Sequence, residues 1–220
     1  MELSYWQSRW QKNYTGWHMD TVYPKLPELW PSLGLEEGSK VFVPLCGKSL
    51  DMGWLAKQGH YVVGVDAVEK ALAEFTHSYP ETFSKDSRHG FHVYQSKHIE
   101  LWQGDFLKLP REELPQIDAI YDKAAMIALP ERMRASYAKK ILAFCQDNTQ
   151  MMLQTFEYDQ SEMSGPPFSV LQREVELHFS EHFEITLLHE QSKFDELDKF
   201  QQRGLSTYLN EKIYHLKPLK

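Results

Sequence analysis

Several short segments that contain polar residues follow apolar runs of the chain, at the points where a parallel sheet would bind a ligand. They are Pro44–Ser49, Asp66, Asp105-Phe106 and Asp122-Lys123. Ligands of open parallel sheets bind beyond the carboxyl ends of the strands. An acid about twenty residues after the first turn can accept hydrogen bonds from both hydroxyls of a ribose. Asp66 has this spacing, so the sequence predicts a site for a molecule that contains a nucleoside.

The first turn, Leu-Cys-Gly-Lys-Ser at 45–49, lacks the glycines of a phosphate site. A dinucleotide fingerprint needs G-x-G-x-x-G, whereas this turn contains only Gly47. A P-loop would place a second glycine five residues before Gly47, where the chain has Phe42. A pyrophosphate ligand, and with it a nicotinamide oxidoreductase, is therefore disfavoured. S-Adenosylmethionine has a ribose and an adenine but no phosphate, and it fits these residues better.

Apolar strands alternate with helices around these turns, which predicts an α/β fold with a parallel sheet covered on both faces. Ser49 or Asp51 can cap the first helix of this pattern and Gly59 can end it. The predicted strands are Val41–Val43, Tyr61–Val65, Ile99–Gln103, Ile117–Tyr121, Met151–Phe156, Phe183–Leu188 and Ile213–Leu216. The predicted helices are Asp51–Gln58, Lys70–Phe75, Glu131–Phe144 and Val170–Phe179.

A segment rich in tryptophan, residues 1–38, precedes the first predicted strand. Trp6 and Trp10 are four residues apart and would share one face of a helix. We interpret this segment as a helical lid that packs over the open edge of the sheet. The alternative is that its tryptophans are ordinary core residues.

Histidines and cysteines are expected to have no catalytic or metal-binding role. The histidine-rich stretch His77–His98 matches no zinc spacing and is interpreted as a polar surface insertion. His178 and His182 are four residues apart, which alone is weak support for a metal site. Cys46 and Cys145 are predicted to be free thiols, as in a reducing compartment, with Cys46 a small buried residue.

Composition sets the class of protein. The chain has 220 residues, 42% of them hydrophobic, and a formal charge of 24 − 31 = −7. These values exclude intrinsic disorder and lack the basic face of a nucleic-acid-binding protein. No apolar run is long enough to span a membrane, and the first residues do not read as a secretory signal. We expect one cytoplasmic domain over residues 1–220, monomeric, with a small molecule as its partner.

Four blocks of the sequence resemble the thiopurine S-methyltransferase family, especially its bacterial branch. The blocks keep the family's order over essentially the whole chain. They are Trp6–Trp10 with Gly16–His18, Val41–Asp66, Ile120–Ala138 and Gly165–Phe168. The resemblance implies a Rossmann-like methyltransferase fold with a seven-stranded sheet whose last strand is antiparallel. It also implies S-adenosylmethionine as methyl donor, S-adenosylhomocysteine as product, and no metal.

The resemblance also implies roles for single residues. Trp10, Leu45, Asp66, Asp105, Phe106 and Lys123 match positions that bind the cofactor. Lys123 also lies near the substrate in the family, and its neighbour Asp122 would position Lys123 or a water. The family usually has Glu in place of Asp66 and Arg in place of Lys123. Lysine lacks the planar two-pronged donor of arginine, which bears on substrate preference more than on methyl transfer.

The function implied is methyl transfer to the sulfur of a thiopurine or another aromatic thiol, with selenium or tellurium compounds as further acceptors. A methyltransferase for oxygen or nitrogen, or a cofactor-binding module without activity, remains an alternative. Several site residues also have structural alternatives. Asp66 and Asp105 can each cap a helix or turn, Lys123 can be a solvated surface residue, and Phe168 can belong to a rigid turn.

Overall fold

The fold is seen in a computed structural model that describes residues 3–219. The chain divides into two compact units, the first ending at Tyr121 and the second beginning at Asp122. Within the described residues, none of the helices has the length and apolar character needed to cross a membrane.

The first unit is built on six strands in the order β3-β4-β5-β2-β1-β6. Strands β1, β2, β5 and β6 run parallel to one another, while β4 is antiparallel both to β3 and to β5. The parallel strands β1, β2 and β5 are buried along almost their whole length, and most of their residues are apolar. The strands are β1 (Lys40–Pro44), β2 (Tyr61–Asp66), β3 (Ser84–Arg88), β4 (Phe91–Gln95), β5 (Ile99–Gln103) and β6 (Ala119–Asp122).

Four helices belong to this unit. Ser49 caps the third of them by accepting the N–H of Asp51, as its sequence predicts. The helices are α1 (Leu3–Gln11), α2 (Lys25–Leu29), α3 (Leu50–Lys57) and α4 (Glu69–Ser78). Short 3-10 helices lie at Trp30–Leu33, Phe106–Lys108 and Arg111–Glu113.

The second unit has three strands in the order β7-β9-β8, all of them antiparallel. The prediction that the last strand is antiparallel is therefore confirmed. Helix α5 begins at Glu131 and ends at Phe144, as predicted. The strands are β7 (Gln150–Glu157), β8 (Phe183–Ser192) and β9 (Asn210–Pro218), and the helices are α5 (Glu131–Phe144), α6 (Gln172–Phe179) and α7 (Asp198–Gln201). A 3-10 helix lies at Met126–Ala128.

Nine strands are present in the described chain where we expected seven, so that prediction was wrong in number. The two additional strands are β3 and β4, which form a hairpin inside the stretch interpreted as a polar insertion. Strand β3 is mostly exposed, but β4 buries Phe91, Val93 and Tyr94 against the sheet. Apolar residues two apart are typical of a half-buried strand. The polar residues around them concealed this pattern.

Candidate functional site

The turn after β1 is shaped by two residues in left-handed backbone conformations. The φ angle is 47° at Leu45 and 53° at Gly47. Glycine adopts this conformation without cost, whereas leucine does so rarely. The N–H of Cys46 donates to the carbonyl of Val65 at 3.0 Å, which attaches the turn to the end of β2. Leu45 is therefore held in an unusual conformation at the predicted cofactor turn.

Asp66 ends β2 and joins this turn to the start of α4. One carboxylate oxygen accepts the N–H of Gly47 and the other accepts the N–H of Val68, both at 2.8 Å. Burial raises the pKa of this carboxyl group, and the backbone hydrogen bonds oppose that rise. Asp66 thus does what its capping alternative predicts, but it also orients the turn of β1. Each carboxylate oxygen has a second lone pair that can accept a hydroxyl.

Three backbone amides of the turn are already bonded within the protein. Cys46 donates to Val65, Gly47 donates to Asp66, and Ser49 donates to the carbonyl of Cys46. A phosphate-binding loop instead points several free N–H groups at its anion. The turn therefore suits a nucleoside without phosphates, in agreement with the sequence prediction.

Asp105 and Phe106 follow β5. The carboxylate of Asp105 accepts the N–H of Leu107 at 3.0 Å and caps a 3-10 helix, as its structural alternative predicts. Phe106 is buried and its ring stacks on that of Phe42, with 6.3 Å between the ring centroids. These contacts give both residues a structural role.

Trp10 lies on α1 and is only 3% exposed. Its indole packs against Val68 and Ala71 at the start of α4. It also lies so close to the first turn that a Cβ at Gly47 would be 3.3 Å from its Cζ2. The ring of Trp17 meets it edge-on, with centroids 6.1 Å apart. Helix α1 thus covers the turn with aromatic surface.

The later part of the tryptophan-rich segment (residues 1–38) packs into the core of the first unit. Trp30 is buried, donates its indole N–H to His60 Nε2 at 3.0 Å and meets the ring of Tyr121 edge-on. The N–H of Tyr23 and the hydroxyl of Tyr121 both donate to the buried carboxylate of Asp51. Trp30 is therefore a core residue, whereas Trp10 adjoins the turn after β1.

Asp122 is the first residue of the second unit and is fully buried. One of its oxygens accepts the N–H groups of Ala125 and Met126, and the other accepts the hydroxyl of Tyr137 at 2.6 Å. Burial raises its pKa to about 6, against the lowering effect of these hydrogen bonds. The carboxylate thus fixes the backbone that follows Lys123, where Ala124 has a φ of 65°.

Lys123 is partly exposed and has cationic neighbours that sequence reasoning missed. Desolvation lowers the pKa of the Lys199 ammonium group, and the positive charges of Arg203 and Lys123 lower it further. Lys199 is on α7 and Arg203 follows that helix, 76 and 80 positions along the chain from Lys123. No spacing rule connects such distant positions, so only the folded unit brings these charges together.

The Gly165–Phe168 turn is fixed by backbone hydrogen bonds. The carbonyl of Pro166 accepts from Arg203 at 2.9 Å and that of Pro167 accepts from the Tyr158 hydroxyl at 2.7 Å. The N–H of Phe168 donates to Ile127 at 2.7 Å, which ties the turn to the 3-10 helix after Asp122. The prediction of a rigid turn agrees with these contacts.

Among residues 3–219, no group of three or more His, Cys, Asp or Glu side chains is arranged to hold a metal ion. Cys46 is buried, as expected, and burial raises the pKa of its thiol well above the usual value. It is therefore a protonated packing residue at neutral pH and is unsuited to be a nucleophile.

Solved structures with similar folds are methyltransferases. A methyltransferase of Anabaena variabilis described as SAM-dependent superposes with a TM-score of 0.68 and 14% identity, covering 98% of this chain and 94% of that one. The 1,6-didemethyltoxoflavin-N1-methyltransferase of Burkholderia thailandensis, solved with S-adenosylhomocysteine, gives 0.63 and 17%, covering 99% and 87%. The chain thus has the α/β fold of S-adenosylmethionine-dependent methyltransferases.

Sequence comparison narrows this class to one family. The thiopurine S-methyltransferase family model matches residues 1–218. A thiopurine S-methyltransferase of Pseudomonas fluorescens is 41% identical over 98% of this chain and 97% of its own length. A probable thiopurine S-methyltransferase of Yarrowia lipolytica is 38% identical over 98% of this chain and 100% of its own. The chain belongs to the thiopurine S-methyltransferase family, and the predicted resemblance is confirmed.

Proposed function

We propose that this protein transfers the methyl group of S-adenosylmethionine to the sulfur of an aromatic or heterocyclic thiol, with thiopurines as representative acceptors. The observation that carries the proposal is the Asp66–Gly47 pair. A buried carboxylate ends β2 and holds a turn in which the amides of Cys46, Gly47 and Ser49 are already bonded within the protein. That arrangement suits ribose hydroxyls better than a pyrophosphate, which needs several free N–H groups.

The residues fit the cofactor in several ways. Asp66 would hold the ribose, the strained backbone at Leu45 would meet the methionine part, and Asp105-Phe106 would border the adenine. When bound, the cofactor supplies a methyl group on a cationic sulfonium. The faces of Trp10 and its neighbours attract a cation by about 0.5–2 kcal/mol each and keep water away. Most of the rate enhancement would come from positioning, which can contribute roughly 7–11 kcal/mol.

Lys123 would stabilise the anionic acceptor as a point charge. Lys199 and Arg203 support this role, because the charge of Lys199 interacts with those of both Arg203 and Lys123. Concentrated positive charge favours the thiolate over the neutral thiol. We propose that Asp122 acts on Lys123 through the backbone, since its carboxylate is bonded to Ala125, Met126 and Tyr137.

No general base is needed in this scheme. A heteroaromatic thiol is already partly ionised near neutral pH, and the thiolate is the nucleophile. As the sulfur attacks the methyl carbon, its negative charge and the positive sulfonium charge cancel, which a dry aromatic environment favours. We further propose that transfer needs no metal and that the protein acts as a monomer. The two free cysteines support a reducing, cytoplasmic location.

Titration calorimetry of the wild-type protein with S-adenosylmethionine, S-adenosylhomocysteine and NAD tests the cofactor. We expect heat from the first two and none from NAD. Product detection with 6-mercaptopurine, then with selenite and tellurite, tests the acceptor. Methylation of phenols or amines in preference to every thiol, or cofactor binding without turnover on any thiol, would contradict the proposal. Activity that persists in the presence of a chelator would support the proposal that transfer needs no metal. A single mass by light scattering, equal to that of one chain, would support the proposal that the protein is a monomer.

A further inference from the structure

Three charged side chains form a bridge between the cofactor turn and helix α1. Lys48 in the turn donates to Glu74 Oε2 at 2.7 Å. The other oxygen of Glu74, Oε1, lies 3.7 Å from the ammonium of Lys70. Glu74 and Lys70 are both on α4, at positions i+4 and i, so one turn of helix holds the two charges together. We call Lys48, Glu74 and Lys70 the α4 bridge.

Both lysines of the α4 bridge reach Trp10 or its backbone. The ammonium of Lys48 lies 5.8 Å from the centroid of the Trp10 ring, within the range of a cation–π contact. Lys70 donates to the carbonyl of Trp10 at 3.0 Å and to Asn13 Oδ1 at 2.6 Å. One contact fixes the indole and the other satisfies a carbonyl at the end of α1. Glu74 contacts neither the indole nor the carbonyl of Trp10, but it pairs with both lysines.

The bridge is partly exposed, with 27%, 36% and 37% of the side chains of Lys48, Glu74 and Lys70 accessible. Isolated pairs at such sites contribute little. Here, however, the charges converge on one aromatic residue that adjoins Gly47, the residue whose N–H bonds to Asp66. The contacts with Lys48 and Lys70 lower the pKa of Glu74, so it is charged at neutral pH.

We propose that Glu74 is a positioning residue for cofactor binding, which through Lys48 and Lys70 holds the indole of Trp10 on the cofactor turn. This inference rests on the proposed function, because it assumes that the adenosyl cofactor binds beside Asp66. Glu74 itself contacts neither the indole nor the turn. Its substitution should change how firmly α1 is held and, through Trp10, how tightly the cofactor binds.

Glu74→Gln removes the charge while keeping the size of the side chain. Lys70→Met removes the contact with α1 from the other side and is a second, independent variant. Glu69→Gln is the matched control, because Glu69 is an acid of the same helix that is 65% exposed and whose ion pair with Lys85 spans 3.9 Å. Urea unfolding of all variants checks that each is folded before binding is compared.

Hydrogen exchange of the protein without ligand measures directly whether the α4 bridge holds the end of α1. The amides of Lys12, Asn13 and Tyr14 donate to carbonyls of α1 and report whether the helix end is held. We expect faster exchange there in Glu74→Gln and Lys70→Met, and wild-type exchange in Glu69→Gln. Because no cofactor is present, this result does not depend on the proposed function.

Calorimetry with S-adenosylhomocysteine measures how the variants change cofactor affinity. Glu74→Gln and Lys70→Met should weaken binding about three- to tenfold, the range of one exposed charge pair plus one cation–π contact. Their affinity should also fall less steeply with salt than that of the wild type. In turnover, KM for the donor should rise while kcat stays within about twofold.

Unchanged exchange in α1, unchanged affinity, or an equal loss in Glu69→Gln would each overturn the role of Glu74. Failure of the wild type to bind S-adenosylhomocysteine would instead overturn the proposed function, and the exchange measurement would still show whether the α4 bridge holds α1. The two failures are therefore distinguishable.

Discussion

The carboxylate of Asp66 accepts the backbone N–H of Gly47 at 2.8 Å, so the acid that ends β2 also holds the turn that follows β1. A residue predicted to bind the ribose is thereby part of the support of the turn itself. The same residue bonds Val68 at the start of α4. Removing its side chain should therefore affect both the proposed contact with the ribose and the geometry of the turn.

Asp66→Ala should weaken the binding of S-adenosylhomocysteine by about 2–3 kcal/mol, the cost of hydrogen bonds to a charged acceptor. The affinity of Asp66→Asn should lie between those of the wild type and Asp66→Ala. Its amide oxygen still accepts one N–H, whereas its amide nitrogen faces a second donor. Calorimetry measures both. Asp86→Asn, an acid on the exposed hairpin, should behave as the wild type. Unchanged affinity in Asp66→Ala would remove Asp66 from the site.

Gly47→Ala and Gly34→Ala separate backbone strain from contact with Trp10. Both glycines have positive φ angles, 53° and 64°, and an added Cβ should cost each about 1–2 kcal/mol of folding stability. A Cβ at Gly47 would also press on Trp10 at 3.3 Å, whereas nothing lies within 4 Å at Gly34. Urea unfolding should therefore show similar losses, and calorimetry should show weaker cofactor binding only in Gly47→Ala. Equal affinities would mean that Trp10 does not restrict the turn.

Lys123→Ala should reduce methyl transfer to 6-mercaptopurine more than it reduces cofactor affinity, because its proposed role is to stabilise the acceptor. Lys123→Arg should keep activity and change the preference among aromatic thiols, since a planar guanidinium binds with two donors where an ammonium is a point charge. Steady-state kinetics with several thiols and calorimetry with S-adenosylhomocysteine measure these effects. A larger loss of cofactor affinity than of turnover would assign Lys123 to the cofactor instead.

The parts of the fold that the sequence predicts best are those with strong local signals. Continuous apolar runs predicted β1, β2 and β5, and Ser49 marked the start of α3. The hairpin of β3 and β4 was missed, because its polar composition outweighed the alternation around Val93. Local spacing also predicted that the turn at 45–49 and Asp66 follow or end strands, which the structure bears out, and their role in cofactor binding stays a prediction.

The parts of the site that were missed depend on contacts between distant residues. Glu74 bonds Lys48 across 26 positions, and Lys70 reaches Trp10 across 60. The charge of Lys123 lowers the pKa of Lys199, an effect that arises only within the folded second unit. Exposed lysines and glutamates on helices are usual, so their types carry no signal of such a role. Trp10 and Trp30 likewise have the same residue type and different surroundings, which only packing distinguishes.

Asp122 should make folding stability depend on pH in a narrow window. Its pKa is raised to about 6 by burial, against 3.8 ordinarily. Between these values the folded protein holds a proton that the unfolded chain has released, so the stability present below pH 4 is lost as the pH rises through 6. The two-unit shift corresponds to a loss on the order of 3 kcal/mol.

Asp122→Asn has no such charge, so its free energy of unfolding relative to the wild type should rise between pH 4 and 6.5 and then level off. Urea unfolding at several pH values measures this difference. Tyr137→Phe removes a hydrogen bond that lowers the pKa of Asp122, and should move the window to higher pH. Parallel curves for the wild type and Asp122→Asn would contradict the raised pKa.

Asp122→Asn also tests whether Asp122 acts through the backbone. The amide oxygen of Asn can still accept from Ala125 and Met126, so in that case the variant should keep most of its kcat at pH 7.5. A direct role of the carboxylate in methyl transfer requires kcat to fall instead.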